Sequence, residues 1–198
     1  MTRPDGAAAA GPARTIEIDG IGPVLFEKSR KAHRIGLTVR ASRGVRVAVP
    51  ARISFEEARR IAVSKLDWVR RTLGRIERAR DRCSEAVLAA ERLDRRAAHA
   101  FLAERLAALA EEHGFAPGRL SVRNQGTLWG SASPSGCIQL NAYLAVLPQE
   151  LSDYVILHEL VHTRVRGHGR AFWRELERHV PDIRGRRTRL REYSLVLF

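Results

Sequence analysis

A group of imidazole and carboxylate side chains lies in the last quarter of the 198-residue chain. Residues 158–162 read His-Glu-Leu-Val-His, and His168 follows six positions after the second histidine. On a helix, His158 and His162 would project from one face a turn apart, so both rings could bind one metal ion. Glu159 would lie about 100° around the helix, where it could reach a metal-bound water without coordinating the metal. Three imidazoles and one open position are typical of catalytic zinc, so the spacing predicts hydrolysis at a single Zn²⁺ ion.

The residues around this motif predict a buried helix from Pro148 to Arg166. Its apolar residues occupy most of the circumference, which is typical of a buried helix, and a metal would satisfy the histidines within it. Pro148 suits the first helical turn and Gly167 suits the position after a helix end. We therefore expect the helix to stop before His168 and the chain to bring that side chain back. The apolar residues are Leu151, Tyr154, Val155, Ile156, Leu157, Leu160, Val161 and Val165.

The sequence also allows other roles for the polar residues of the motif. The two helical histidines could be core residues that hydrogen-bond to backbone carbonyls or to Glu159. The third ligand is the least constrained position, because further metal-binding side chains follow His168 on the next helical stretch. These competing candidates are Glu175, Glu177 and His179.

The spacing of the three histidines is shared with the metzincin motif. Two features separate this chain from that class. Val165 stands where the metzincin motif has a glycine, and the only methionine is Met1, so no downstream Met-turn is possible. The sequence favours a zinc hydrolase of another branch.

The composition predicts a soluble globular protein of the cytoplasm. Hydrophobic residues at 44% and charged residues at 29% are ordinary for such a protein. Cys83 and Cys137 are the only cysteines, which fits neither a disulfide framework nor a thiolate zinc site. No stretch approaches the roughly 20 apolar residues of a membrane-spanning helix, so we expect no membrane partner. Residues 1–14 lack the apolar run of a signal peptide and predict a disordered tail.

The net charge of +13 could attract polyanions, and nucleic acid is therefore a possible partner. However, all but three of the 35 basic residues are arginine, and they are spread along the chain. No aromatic residues are interleaved with them in the way that stacks bases. Solvated basic faces are the favoured interpretation.

Hydrophobic periodicity predicts an α+β fold in which strands and helices are segregated along the chain. Residues 15–50 read as a strand-rich entry segment with a turn at Ser42-Arg43-Gly44. Residues 54–113 read as a helical connector. Residues 118–183 are expected to form the zinc-binding catalytic core, and residues 184–198 a C-terminal basic tail. The arginines of this tail from 184 to 191 lie on a predicted helix.

Within the connector, Ser54 is the predicted N-cap of the first helix, in a capping box with Glu57. Trp68 is expected to pack against the protein, and a second helix is expected from about Ser84 to His113. In the core, a β-hairpin that turns at residues 134–136 is expected to pack on the motif helix.

A series of short motifs in this order resembles the YgjP-like metallopeptidase family, a set of bacterial zincin-type proteins. The resemblance extends from about Thr15 to Asp182. It implies that His158, His162 and His168 are the zinc ligands, that Glu159 is the general base, and that the core is zincin-like. The motifs are Ser29-Arg30-Lys31-Ala32-His33-Arg34, Val45-Arg46-Val47-Ala48-Val49-Pro50, Lys65-Leu66-Asp67-Trp68-Val69, Trp129-Gly130-Ser131-Ala132-Ser133, Leu140-Asn141, Asp153-Tyr154-Val155, His158-Glu159, His162, Gly167-His168-Gly169, Phe172-Trp173 and Pro181-Asp182.

Four positions depart from the pattern of the family. Ala132 replaces a cysteine in the hairpin, and Leu128 replaces a basic residue. Gly167 and Gly169 replace the asparagine and serine beside the third histidine. None of these changes removes a ligand, but they alter how His168 is held and what fits beside the hairpin.

The main functional hypothesis is hydrolysis of a peptide bond in a peptide or protein substrate. The strand around residues 128–133 could receive an extended peptide by strand addition, or it could simply cover the zinc helix. Tyr154 and Arg164 flank the motif, but the sequence does not assign them a role.

Two further hypotheses remain. The same site could hydrolyse nucleotide phosphoanhydrides, with arginines neutralising the phosphates. Alternatively, the chain could be a non-enzymatic nucleic-acid-binding protein with a structural zinc, which normally requires a fourth protein ligand.

Overall fold

A computed structural model describes residues 12–198. The predicted tail over residues 1–14 therefore lies outside the described residues, except at its end. There the first strand already begins at Ala13, and Arg14 pairs with Phe26 of the next strand. The chain divides into two compact units, Met1–Arg78 and Ala79–Phe198.

The first unit contains a four-stranded mixed sheet. Its strands are β1 (Ala13–Ile18), β2 (Gly22–Ser29), β3 (Gly36–Arg40) and β4 (Gly44–Pro50), in the order β1-β2-β4-β3. The predicted hairpin joins β3 to β4, whereas β2 and β4 run parallel. Alternate residues of the central strands face one side and are buried, as their period of two requires. These buried residues include Val24, Phe26, Val45, Val47 and Val49.

Two helices follow in this unit, α1 (Phe55–Val63) and α2 (Leu66–Arg82). The predicted N-cap is confirmed, because the hydroxyl of Ser54 accepts a hydrogen bond from the backbone N–H of Glu57. The prediction that Trp68 packs is wrong, since this side chain is 42% exposed. Val69, the residue after Trp68, lies on the buried face of α2. One step along a helix turns a side chain by about 100°, so Trp68 lies away from that face.

The second unit begins with the end of α2 and continues with α3 (Ser84–Glu91) and α4 (Arg95–Glu112). A single helix was expected across residues 84–113, but the chain breaks before Arg95. The Asp94 carboxylate accepts the backbone N–H of Arg96 and so begins a new helix.

A small three-stranded sheet comes next in the second unit. Its strands are β5 (Leu120–Arg123), β6 (Gly130–Ala132) and β7 (Ile138–Asn141), in the order β5-β7-β6. The antiparallel pair β6–β7 is the predicted hairpin. Because β7 is central, β6 forms one edge of this sheet.

Three helices complete the second unit, α5 (Gln149–His162), α6 (Arg170–Glu177) and α7 (Ile183–Leu197). As predicted, α5 is buried on most sides; it contacts α4, α6, α7 and β6. It ends at His162 and not at the expected Arg166, because the chain tightens into turns that satisfy the last carbonyls of the helix. One of these turns joins the backbone N–H of Arg164 to the carbonyl of Val161 at 3.0 Å.

The arginines of the C-terminal basic segment lie on a helix, as predicted for residues 184–191, and this helix belongs to the second unit. Helix α7 contacts α5 and α3, and the indole N–H of Trp129 donates a hydrogen bond to the Ser194 hydroxyl at 2.8 Å. The Trp129 and Phe198 rings are 4.5 Å apart. The predicted α+β class is thus confirmed. Over residues 12–198, no helix has the length and apolar character needed to cross a bilayer.

Candidate metal centre

The three histidines of the sequence motif lie together in the second unit. The Nε2 atom of His168 is 3.0 Å from that of His158 and 3.1 Å from that of His162. Tetrahedral zinc with Zn–N bonds of about 2.0–2.1 Å separates its ligand nitrogens by roughly 3.3 Å, close to this spacing. Within residues 12–198, this is the one group of three potential ligand side chains that converges on a point.

Two elements bring the three rings together. The face of α5 carries His158 and His162 one turn apart, as the i, i+4 spacing predicts. Beyond the helix, the chain reverses at Gly167, whose φ of +71° favours glycine, and this turn returns His168 to the other two rings. From α6, the Phe172 ring stacks on His162 with a centroid distance of 4.3 Å. Phe172 belongs to the Phe172-Trp173 motif, for which the sequence indicated no role, and it supports the ring of His162.

The protonation states of the two helical histidines suit metal binding. Burial, together with His162, His168 and Arg187, lowers the pKa of His158 to about 3. Burial also lowers the pKa of His162, although a backbone hydrogen bond opposes this shift. Both rings are therefore neutral near pH 7, the form that ligates metals.

The hydrogen bonding of His162 also fixes its tautomer. Its Nδ1 lies 3.2 Å from the carbonyl oxygen of Val165. A carbonyl only accepts, so Nδ1 carries the proton and Nε2 presents its lone pair towards the other two histidines. The donor set therefore fits a metal ion such as Zn²⁺.

Glu159 lies beside the histidines and is almost completely buried. It is 5% exposed, and burial raises its pKa to about 7. A carboxyl group with a pKa near the working pH is suited to accept and release a proton. Gly130 of β6 passes directly over it: a Cβ atom at position 130 would lie 2.8 Å from Cγ of Glu159. The sequence placed Glu159 next to the ligands but gave no signal that β6 covers it this closely.

A groove of about 540 Å³ connects the hairpin with the histidines and Glu159. One wall is formed by β6 and the residues on either side of it, and the opposite wall by α5 and the following turn. The lining residues are Leu128, Gly130, Ser131, Ala132, Ser133, Pro134, His158, Glu159, His162, Arg166, Gly167 and His168.

The hairpin is fixed by Asn141 at the end of β7. This residue is 1% exposed, and its amide N–H groups donate to the carbonyls of Gln125 and Leu128, both at 2.8 Å. Its side-chain oxygen accepts the backbone N–H of Tyr143. Asn141 thereby holds the loop that leads into β6.

The competing third ligands do not join the triad. The Nδ1 of His179 lies 3.3 Å from that of His113, and Glu175 forms ion pairs with Arg164 and Arg178. Glu177 lines a different cavity.

The residues that flank the motif have other contacts. Tyr154 is buried, with its ring 6.0 Å from that of His158. The guanidinium carbon of Arg164 lies 4.0 Å from the Phe115 ring centroid, and Arg164 is not one of the residues that line the groove.

Trp173 and Arg187 also lie near the triad, and no sequence pattern indicates a role for either. The Trp173 ring centroid is 5.7 Å from that of His168 and 6.3 Å from that of His158. The guanidinium carbon of Arg187 lies 4.9 Å from the Trp173 ring centroid. Trp173 lies on α6 and Arg187 on α7, so their contact depends on how these two helices pack.

Comparison with known proteins gives one family. The family described as "YgjP-like, metallopeptidase domain" matches residues 85–193, more than half of the chain and all within the second unit. The entry segment, for which the sequence motifs also suggested a resemblance, lies outside that match. None of the curated proteins compared with the chain matches it significantly.

Two solved structures are similar to part of the chain. The metallopeptidase zymogen of Methanocaldococcus jannaschii jannalysin is 19% identical, with a TM-score of 0.42 over 46% of this chain and 95% of that one. The metallopeptidase zymogen of Pyrococcus abyssi abylysin is 26% identical, with a TM-score of 0.38 over 43% of this chain and 86% of that one.

Proposed function

Because the chain belongs to the YgjP-like metallopeptidase family, we propose that it hydrolyses peptide bonds with one zinc ion held by His158, His162 and His168. The observation that carries this proposal is the convergence of the three Nε2 atoms beside an open groove. The neutral state of the two helical histidines supports it, because only neutral imidazole ligates a metal.

Glu159 is the proposed general base. When bound, zinc would polarise the scissile carbonyl and acidify water. The Glu159 carboxylate would accept a proton from the attacking water and later deliver it to the leaving amine. Its burial and its raised pKa support both transfers, since neither form of the carboxyl group is strongly preferred near pH 7.

The groove favours an extended peptide as substrate. As the edge strand of its sheet, β6 has one side without a neighbouring strand from residues 12–198, and its residues line the groove beside Glu159. A substrate could pair with this edge through backbone hydrogen bonds, which would give affinity with weak dependence on side chains.

The other two hypotheses receive less support. The family match supports a peptide or protein substrate and gives no support to nucleotides or nucleic acid. A structural zinc normally has four protein ligands, whereas the group found within residues 12–198 has three.

Substitution of Glu159 and His158 tests the proposal. Glu159→Gln should retain zinc and lower the rate of peptide cleavage by about 10²–10⁴-fold, because the proton acceptor is lost. His158→Ala should lose both zinc and activity. Metal content by elemental analysis and amine release from casein-like and peptide substrates would measure these effects.

Glu104→Gln is the matched control, because Glu104 is exposed on α4 and lines no part of the groove. It should keep both zinc and activity. A Glu159→Gln protein with undiminished turnover would refute the assigned base.

A further inference from the structure

A second cavity lies beside the histidine triad and has no part in the chemistry described above. Its volume is about 860 Å³, and its walls come from the end of α6, the following turn and one face of α7. Trp173 lines this cavity, and its ring is also the one that lies 5.7 Å from His168. The cavity is therefore one side chain away from the proposed metal ligands.

Three arginines of α7 line this cavity. Arg184, Arg187 and Arg191 are spaced i, i+3 and i+7, so they lie on one face of the helix. All three are exposed, and within residues 12–198 none of them forms an ion pair with a carboxylate. The row is thus a set of cationic groups directed into a cavity without anionic partners.

Two other arginines of α7 differ from this row. Arg186 donates a hydrogen bond to the backbone carbonyl of Glu150, and Arg189 forms an ion pair with the Glu150 carboxylate at 2.8 Å. One positive charge of α7 is therefore paired with a carboxylate on the face that meets Glu150, whereas the three arginines that line the cavity have no such ion pair within residues 12–198.

The acidic residues of the cavity do not balance the arginine row. Asp182 and Glu177 are the carboxylates in its lining. The Asp182 side chain already accepts the backbone N–H of Gly185 as the N-cap of α7. Asp182 keeps its charge in this hydrogen bond, so the lining carries three guanidinium groups and two carboxylates, and the cavity has a net positive charge of one.

Arg187 has the most defined position in the row. Its guanidinium group lies over Trp173, with 4.9 Å from the guanidinium carbon to the ring centroid. Stacking on an aromatic ring orders a guanidinium group while its N–H donors at the edge stay available for a carboxylate. An extended peptide advances about 3.3 Å per residue, so a substrate residue two or three positions from the scissile bond could reach this group.

We propose that Arg184, Arg187 and Arg191 form a specificity site for aspartate or glutamate side chains of the substrate. The site would select peptides with an acidic residue near the bond that is cleaved. This inference rests on the proposed peptidase function and names the substrate class of that site.

A paired peptide series tests the inference. Each pair places a single Glu or a single Gln at one of the three positions on either side of the scissile bond, with amidated C-termini. For the zinc-loaded full chain, we expect kcat/KM to be at least about tenfold higher for Glu than for Gln at one or two positions. The Arg187→Gln variant should lose this preference, and added salt should weaken it in the wild type.

Arg189→Gln is the matched control, because it removes one positive charge from the same helix at the face that meets Glu150. It should keep the Glu/Gln ratio of the wild type. Equal kcat/KM for both members of every pair would overturn the inference and leave the proposed function intact. A preference that appears only when the same peptides carry a free C-terminal carboxylate in place of the amide would also overturn it, because the site would then bind chain ends.

A binding measurement distinguishes failure of the proposed peptidase function from failure of the specificity site. If no peptide is cleaved, the proposed function fails, and calorimetric titration with the same pairs still tests the site. Tighter binding of the Glu peptide that is lost in Arg187→Gln would support an acidic-peptide site without hydrolysis. Equal affinity for both peptides would overturn the specificity site as well.

Discussion

Glu159 shows how much the surroundings of one residue change its chemistry. Its carboxyl group is 5% exposed, and desolvation by burial is what raises its pKa to about 7. In the metal-free protein, ionising this buried carboxyl group costs more free energy than ionising an exposed glutamate. The residue that we propose as catalytic base is thus also a source of instability.

This leads to a prediction for the pH dependence of stability. In the metal-free wild type, the folded-state pKa of about 7 lies above the ordinary value of 4.5, so folding favours the protonated form. The favourable contribution is complete below about pH 4.5 and is lost as the pH rises through about 7. Relative to Glu159→Gln, the wild type should therefore lose up to about 3 kcal/mol of unfolding free energy across this window.

Denaturant unfolding of both metal-free proteins at several pH values would measure this difference. The depressed pKa of His158 acts in the opposite direction, but it acts in both proteins and cancels in the comparison. A stability difference that does not change with pH would contradict the prediction.

Among the secondary-structure elements, the contact between β6 and α5 determines the geometry of the site. Glycine at position 130 lets the strand approach Glu159, while Asn141 holds the loop that leads into that strand. Neither residue carries chemistry. Together they set where the carboxylate lies relative to the histidines.

Gly130→Ala tests this contact. The added methyl group would meet Cγ of Glu159 at 2.8 Å and Oε1 at 3.0 Å, so the carboxylate must move. A displacement of about 1 Å near reacting groups can cost on the order of 10²-fold in rate. We expect peptide cleavage to fall by about 10–100-fold, whereas zinc content should stay unchanged because no ligand is touched.

Gly36→Ala is the control for this substitution. Gly36 is also a strand glycine, but a Cβ atom there would meet only the Ala48 side chain at 3.8 Å, an ordinary contact. Activity should be retained. Unchanged turnover of Gly130→Ala would show that the approach of β6 does not position Glu159.

Across the whole molecule, the site belongs to one of the two compact units. Every residue proposed for the metal, the base and the arginine row lies within Ala79–Phe198. A large core surrounds α5 in this unit, and its fully buried side chains include Leu140, Leu151, Leu160 and Phe172. The family match also falls entirely within it.

A fragment of residues 79–198 is therefore expected to fold and to bind zinc with the stoichiometry of the full chain. Its size is sufficient for an independent core, and the three histidines are all present. Circular dichroism, thermal unfolding with and without a chelator, and metal content would test this. An unfolded fragment, or a folded one that does not retain zinc, would show that residues before 79 are needed for the site.

The local part of this architecture could be inferred from residue order. The i, i+4 relation of His158 and His162 follows from helix geometry, and the hairpin before α5 follows from alternation and turn residues. The α+β class and the Ser54 cap were predictable for the same reason, because each depends on neighbours within a few positions.

Contacts between distant segments could not be inferred in this way. The return of His168 at Gly167 was expected from the sequence, whereas the separation of Glu175, Glu177 and His179 from the triad depends on the fold. Packing also turns Trp68 to solvent, places α7 against α5, and stacks Arg187 on Trp173. Spacing along the chain fixes relations within a helix or a hairpin, whereas the approach of separate elements depends on how their buried surfaces fit together.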